Sequence, residues 1–190
     1  MAGRTRNNSG VVYVDLGELN PKQKLFCQAR TRYVGYGGAG GGKSHVLRIK
    51  AFGGALTYPG IRILIVRREY PELEQTMILP MRKLIPQEVA VYNGSMHMFF
   101  FANGSTIKFG HYGTSDDDEY QGQEYYWIFM DEATHFTEYE FRTMGAALRG
   151  VNDIPKRFYL TCNPGGVGHL WVKRLFVERD FRAGEDPKDY

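Results

Sequence analysis

Residues Gly37-Gly38-Ala39-Gly40-Gly41-Gly42-Lys43-Ser44 form a glycine-rich run that ends on a lysine and a hydroxyl, and they fit the pattern G-x-x-x-x-G-K-[ST]. Glycine at this density lets the backbone curl until successive N–H groups point inward at an anion. A helix starting at Lys43 would turn its positive end toward the same anion. Lys43 adds a point charge for the outer phosphates of a nucleotide, and the Ser44 hydroxyl is an oxygen ligand suited to Mg²⁺. The whole run, from Gly37, Gly38 and Ala39 through Gly40, Gly41 and Gly42 to Lys43 and Ser44, is therefore expected to cradle phosphates.

A second chemical pair, Asp131-Glu132, directly follows the apolar run YYWIFM at 125–130. In an open parallel sheet, ligands sit at the carboxyl ends of the strands. Asp131 is placed there to hold a Mg²⁺ shell with Ser44, and Glu132 to polarise an attacking water. A built-in water activator favours ATP hydrolysis over phosphoryl transfer to a metabolite.

Four further sets could join them. Thr161-Cys162-Asn163-Pro164 ends another apolar run, so Asn163 is expected to contact the γ-phosphate or its water; a polar strand-to-loop turn is the alternative. Arg67 and Arg68 follow the run 61–66, where one could approach phosphates or hold DNA; an exposed charged strand end is the alternative. Arg149 could serve a neighbouring subunit's site as an arginine finger, or only favour a helix C-terminus. Gln23 carries paired donor and acceptor groups of the kind that recognise adenine; an ordinary surface glutamine is the alternative.

The elements that must position these residues are legible in outline. Asn20-Pro21 starts a helix over 22–30, and 32–36 is a short strand ending at the glycines. A helix over 43–56 stops at Tyr58-Pro59-Gly60. IRILIV at 61–66 reads as a buried parallel strand. A helix over 71–84 should kink at Pro80. Asn93-Gly94 and Asn103-Gly104 suggest type I′ turns joining strands 89–92, 96–101 and 105–110 into a meander. Met98 to Phe101 reads as core plus a sheet face. Thr137 with Glu140 forms a capping box, and Phe136 with Phe141 a hydrophobic staple. A strand at 157–161 and a helix at 169–179 complete the chain. Strand alternating with helix implies an α/β fold: a mostly parallel sheet flanked by helices, with an inserted antiparallel β-meander.

Composition bounds the remainder. The chain has 190 residues, enough for one α/β domain, and 43% are hydrophobic. Its formal net charge of +3 does not demand nucleic acid, so DNA contacts would come from local patches such as Lys22/Lys24/Arg30/Arg32 or Lys173/Arg174/Arg179. Two cysteines, Cys27 and Cys162, exclude a disulfide scaffold and a thiolate zinc site. No apolar run approaches the ~18 residues of a membrane span, and the polar N-terminus lacks a signal-peptide core. A reducing cytoplasm is the expected compartment. The acidic stretch Asp116-Asp117-Asp118-Glu119 reads as a solvated loop rather than a two-metal nuclease site.

Taken together, NPKQ at 20–23, GGAGGGKS, VRREYPELE at 66–74, YQGQEYYWIFMDEA at 120–133 and TCNPGG at 161–166 resemble the ATPase domain of a tailed-bacteriophage terminase large subunit. The resemblance covers about 19–181. It implies a P-loop NTPase fold of the RecA-like type and, as activity, ATP hydrolysis driving double-stranded DNA into a procapsid. Lys43 and Ser44 would bind phosphate and magnesium, Asp131 would organise the metal, and Glu132 would be the catalytic carboxylate. Residues 161–163 would couple hydrolysis to DNA movement, and Gln23 would lie in the adenine motif. Arg67, Arg68 and Arg149 remain candidates for the finger. A homo-oligomeric ring, a portal protein and a terminase small subunit are the implied partners, with action in the host cytoplasm during virion assembly. Residues 1–18 are expected as a flexible arm, and 182–190 as a tail or the start of a linker. Such proteins normally continue into a nuclease domain, so no DNA cleavage is expected from these residues. A helicase-like ATPase and a nucleotide-binding regulatory module remain open alternatives.

Overall fold

In the computed structural model, residues 4–6, 12–38, 40–112 and 122–190 are described. Ala39 of the phosphate loop, Tyr120 and Gln121 of the YQGQE segment, and the acidic stretch 116–119 lie outside them. Within the expected arm, β1 (Arg4–Arg6) pairs antiparallel with β2 (Val12–Val14), so this part of the arm is a ladder. Next comes α1 (Pro21–Gln28), opened by a capping box: the Asn20 side chain accepts from the Gln23 N–H, and the Gln23 side chain accepts from the Asn20 N–H. Pro21 occupies the first turn, where its missing N–H costs nothing. The chain then runs β3 (Tyr33–Gly37), α2 (Lys43–Thr57) and β4 (Arg62–Arg67).

The expected helix over 71–84 is real but interrupted. It comprises α3 (Tyr70–Leu73), a π-helical turn Glu74–Ile78 and α4 (Leu79–Leu84). Pro80 has no N–H to return to the Thr76 carbonyl, and the chain answers by widening one turn rather than by a simple kink. Leu79 accordingly donates to Glu74, five residues back.

The meander β5 (Ala90–Asn93), β6 (Met98–Phe101) and β7 (Thr106–His111) follows. Its turns are not of type I′. Asn93 pairs with Met98, leaving 94–97 between them, and the positive φ falls on His97 at 49°. At the second turn the Gly104 N–H donates to Phe101, the Phe101 N–H donates to Ser105, and Gly104 alone has positive φ. That is the three-residue loop with a glycine bulge, so Asn103 stays right-handed. Phe99 and Phe101 are buried while Phe100 is exposed, the alternation expected of a strand with one covered face.

The rest is β8 (Trp127–Met130), a 3₁₀ turn Ala133–His135, α5 (Glu138–Ala146), β9 (Arg157–Cys162), α6 (His169–Lys173) running into a π turn Arg174–Glu178, and a 3₁₀ turn Pro187–Asp189. The capping box at Thr137 forms as expected, and Phe136 and Phe141 are both buried.

Seven strands form one sheet in the order β3-β9-β8-β4-β7-β6-β5. β3, β9, β8, β4 and β7 run parallel, while β6 and β5 are antiparallel additions. Side chains of the central strands alternate between two cores. Ile63, Ile65, Trp127, Phe129 and Tyr159 face α1, α2 and the interrupted helix; Leu64, Val66, Ile128, Met130, Phe158 and Leu160 face α5 and α6. Each such buried side chain contributes about 1.5–3 kcal/mol. α2 approaches the sheet closely because Gly54 has no side chain: a Cβ there would lie 2.3 Å from the Trp127 ring.

Residues 182–190 pack back on the domain. The Tyr190 ring stacks on Tyr33 at 4.8 Å, and the Glu185 carboxylate sits between Arg174, at 2.8 Å, and Arg142. The hydrogen bond from Arg174, against the opposing effect of burial, holds Glu185 down at about 2. A carboxyl depressed in the folded state stabilises fully above its unfolded pKa, near ~4.3, and that contribution disappears as pH falls through the folded value. Stability is therefore expected to drop by about 1–2 kcal/mol between roughly pH 4.5 and pH 2 through this group, after allowing for solvent screening. Urea titrations across that range check it: Glu185→Gln should lose this part of the pH dependence.

Candidate nucleotide and catalytic site

The phosphate loop joins β3 to α2 at the carboxyl end of the parallel strands. Gly38, Gly40 and Gly42 have φ of 112°, 68° and 62°, left-handed values that a side chain would oppose. No side chain caps the first turn of α2, which leaves its N–H groups facing outward for an anion. The loop is braced from behind. The Tyr36 hydroxyl donates to the Gly41 carbonyl at 3.2 Å, and Gln23 Nε2 donates to the same oxygen at 3.0 Å. Gln23 is buried, and its Oε1 serves the α1 cap. Its amide thus already links α1 to the phosphate loop.

Lys43 turns back over the loop. Its ammonium donates to the Gly38 carbonyl at 2.6 Å and to Asn163 Oδ1 at 2.7 Å. β9 lies next to β3, with Gly37 opposite Cys162, and this pairing delivers Asn163 to the lysine. Burial pushes the Cys162 thiol upward in pKa, against the pull of Lys43, so it is a poor nucleophile.

Asp131 directly follows β8 and is fully buried. It accepts from the Ser44 hydroxyl at 3.1 Å, the Thr161 hydroxyl at 2.5 Å and Arg67 Nη1 at 2.5 Å. Three donors hold the carboxylate in one orientation, which offsets the cost of burying its charge. Glu132 stands in the left-handed region (φ 56°, ψ 55°), held there by its N–H donating to Thr161. Backbone strain of this kind marks functional positions. Its carboxylate is partly exposed and lies 3.2 Å from Arg67 Nη2 and 3.3 Å from His135 Nε2.

Arg67, the last residue of β4, and Arg68, the next, part ways. Arg67 is buried and meets both carboxylates of the pair, plus Glu72 at 2.9 Å. Burial alone would lower its pKa, but Asp131, Glu72 and Glu132 outweigh this and keep it charged. Arg68 turns to the opposite face. It binds Glu140 with two nitrogens at 2.9 and 2.7 Å, donates to the His135 carbonyl, and lies over the Phe136 ring. Arg68 therefore anchors the start of α5 and does not approach the phosphate loop. Arg149 lies at the other end of the sheet: its N–H donates to Tyr125, ahead of β8, and it is exposed. It takes no part in this chain's own site.

Of the expected basic patches, Lys173 pairs with Glu178 and Arg174 is buried against Glu138 and Glu185, while Arg179 is exposed and donates to the Pro187 and Tyr190 carbonyls. Lys22, Lys24 and Arg30 are exposed near α1.

Hydroxyl and carboxylate oxygens from Ser44 and Asp131 are hard donors that suit Mg²⁺, and the adjacent backbone donors suit phosphate. Sequence reasoning missed His135, Glu72, Thr76 and Thr134, whose hydroxyl donates to the Asn163 carbonyl at 3.0 Å. Only Glu72 had a signal, its place in the VRREYPELE segment. Among the described residues, no helix is long and apolar enough to cross a membrane.

Comparison with known proteins bears on the fold and the family. No curated protein sequence matches the chain. Solved structures do. The large terminase of a thermophilic bacteriophage superposes with a TM-score of 0.69 at 16% identity, over 86% of this chain and 43% of that one. That terminase has also been solved in complex with ADP and with ATP-γ-S. The HK97 bacteriophage large terminase gives a TM-score of 0.64 at 14% identity, over 86% of this chain and 38% of that one. The ATPase domain of the Thermus phage P74-26 large terminase gives 0.61 at 14% identity, over 89% and 73%. The chain thus spans less than half the length of the first two proteins. At these identities the likeness shows the fold. The family described as phage terminase large subunit matches residues 29–190, and the chain belongs to that family.

Proposed function

We infer that this chain is an ATP-hydrolysing motor domain that powers translocation of double-stranded DNA into a procapsid. The observation that carries this reading is the convergence of Lys43, Ser44, Asp131, Glu132 and Asn163 from three strand ends around one phosphate loop. The backbone N–H groups of 37–44 and the Lys43 ammonium bind the β- and γ-phosphates of ATP. Gln23 supports the loop beside the adenine. Ser44 and Asp131 would hold Mg²⁺, which neutralises charge on the phosphates. Glu132 accepts a proton from, and orients, the attacking water. Asn163, bonded to Lys43, exchanges that bond for the γ-phosphate and so reports its presence or loss. Thr134 passes the change to the turn before α5, because its hydroxyl holds the Asn163 carbonyl.

Membership of the terminase family supports DNA, a portal protein and a small subunit as partners, and the host cytoplasm as the place of action. Arg67, inside its own site, stabilises charge in cis. Arg149, exposed at the far end of the sheet, would serve a neighbouring subunit in a ring.

The test is the ATPase rate with and without double-stranded DNA, together with nucleotide binding by Lys43→Ala. We expect duplex DNA to stimulate hydrolysis, and Lys43→Ala to weaken ATP binding by roughly a hundredfold, about 2.7 kcal/mol. Unchanged ATP affinity would remove the phosphate-loop assignment. A rate indifferent to DNA would remove the motor reading and leave a nucleotide-binding module.

A further inference from the structure

Arg67 is the only side chain among the described residues that is ion-paired with both Asp131 and Glu132. What aims it is the interrupted helix that follows β4, which supplies none of the residues of the phosphate loop, the Asp131-Glu132 pair or the Asn163 turn. Arg67 Nε donates to Glu72 Oε2 at 2.9 Å, and Nη1 donates to the Thr76 hydroxyl at 3.1 Å. The Thr76 hydroxyl in turn donates to the Glu72 carbonyl at 2.7 Å, which leaves its lone pairs pointing at Arg67. Thr76 lies within the π turn Glu74–Ile78. Its carbonyl is the one left without an i+4 donor by Pro80, and Arg48 Nη1 from α2 donates to it. A hydroxyl and a carbonyl of one residue therefore join the helix after the phosphate loop to the arginine on the carboxylate pair.

We propose that Thr76 and Glu72 are positioning residues for hydrolysis: they set the plane of the Arg67 guanidinium so that it braces Asp131 and Glu132 without taking over the base. This rests on the assignment of Glu132 as the water-activating carboxylate. The direction follows from charge. The guanidinium is shared between Glu72 on one side and two carboxylates on the other. Without Thr76 it shifts toward the side with two negative charges and occupies more of the Glu132 lone pairs. A carboxylate oxygen held by the guanidinium no longer faces the attacking water, and turnover falls. Binding of ATP is untouched, because no residue of this network except Asp131 meets the phosphate loop.

The experiment compares native chain, Thr76→Val, Thr76→Ser and Glu132→Gln under DNA-stimulated conditions. Valine matches threonine in shape but removes the hydroxyl; serine restores it. We expect kcat of Thr76→Val to fall about five- to tenfold, with KM for ATP within about twofold, and Thr76→Ser to recover most of the rate. Melting temperatures identify the folded variants, and Glu72→Gln provides a second variant with the same expected kcat loss. A native or raised kcat in Thr76→Val, a change confined to KM, or a Thr76→Ser rate as low as valine overturns the proposal. If Glu132→Gln hydrolyses ATP at the native rate, the catalytic assignment itself fails; if Glu132→Gln is inactive while Thr76→Val is native, only the positioning role fails.

Discussion

Glu132→Gln is expected to lower kcat for ATP hydrolysis by about 10²–10⁴-fold while leaving ATP affinity within about threefold. That loss corresponds to about 3–5 kcal/mol of barrier. The amide keeps the size of the side chain and one oxygen for Arg67, so the fold and the left-handed backbone at this position persist. What it lacks is a basic lone pair for the proton of water. The contrast with Lys43→Ala is diagnostic: the lysine variant should lose binding, and the glutamine variant should bind and stall. Single-turnover measurement with protein in excess over ATP, alongside equilibrium binding, separates the two. A Glu132→Gln chain that turns over at the native rate would place the base elsewhere, with His135, 3.3 Å from Glu132, the next group to test.

The second large effect is on stability. Asp131→Ala should destabilise the domain by about 3–5 kcal/mol, because it removes the shortest partner of a buried guanidinium and leaves the charge under-compensated. The Thr161 and Ser44 hydroxyls lose their acceptor at the same time. For a domain of this size the melting temperature would fall by roughly 10 °C. Combining it with Arg67→Met should recover at least half of the loss, since no unpaired charge is then left inside. A double variant as unstable as the sum of its parts would mean that the stability comes from packing around β4 and β8 instead of from the ion pair. Hydrolysis should be lost in both variants.

These experiments probe contacts that differ in how visible they are along the chain. The phosphate loop, the capping boxes at Asn20 and Thr137, and the buried strands 61–66 and 125–130 are readable because their causes are local. Positive φ needs glycine, a cap needs a short polar side chain with its partner three residues on, and a doubly covered strand needs an unbroken apolar run. Where several local solutions were equally open, the reading was less sharp. Asn93-Gly94 and Asn103-Gly104 did mark turns, but the register of β5, β6 and β7 chose longer loops than type I′. Pro80 marked a break, but the widened turn and the Arg48 side chain that takes the freed Thr76 carbonyl came from a helix remote in sequence.

The site divides along the same line. By itself the sequence determined which strand ends meet at the phosphate loop: Lys43 and Ser44 after the glycines, Asp131-Glu132 after one strand and Asn163 after another. It did not determine which arginine belongs with them. Arg67 and Arg68 are adjacent in the chain and point to opposite faces of the sheet, so their roles depend on which face holds the phosphate loop. Arg149, read as a finger for a neighbouring subunit, lies beside Tyr125 at the end of the sheet away from the phosphate loop, a placement no local pattern showed. The bonds that assemble the site join residues far apart, 120 positions for Lys43 and Asn163 and 64 for Arg67 and Asp131. They exist only because β9 inserts beside β3, and β8 beside β4. Strand order is set by packing two apolar faces at once, a property of the whole chain, and only the tertiary structure decided it.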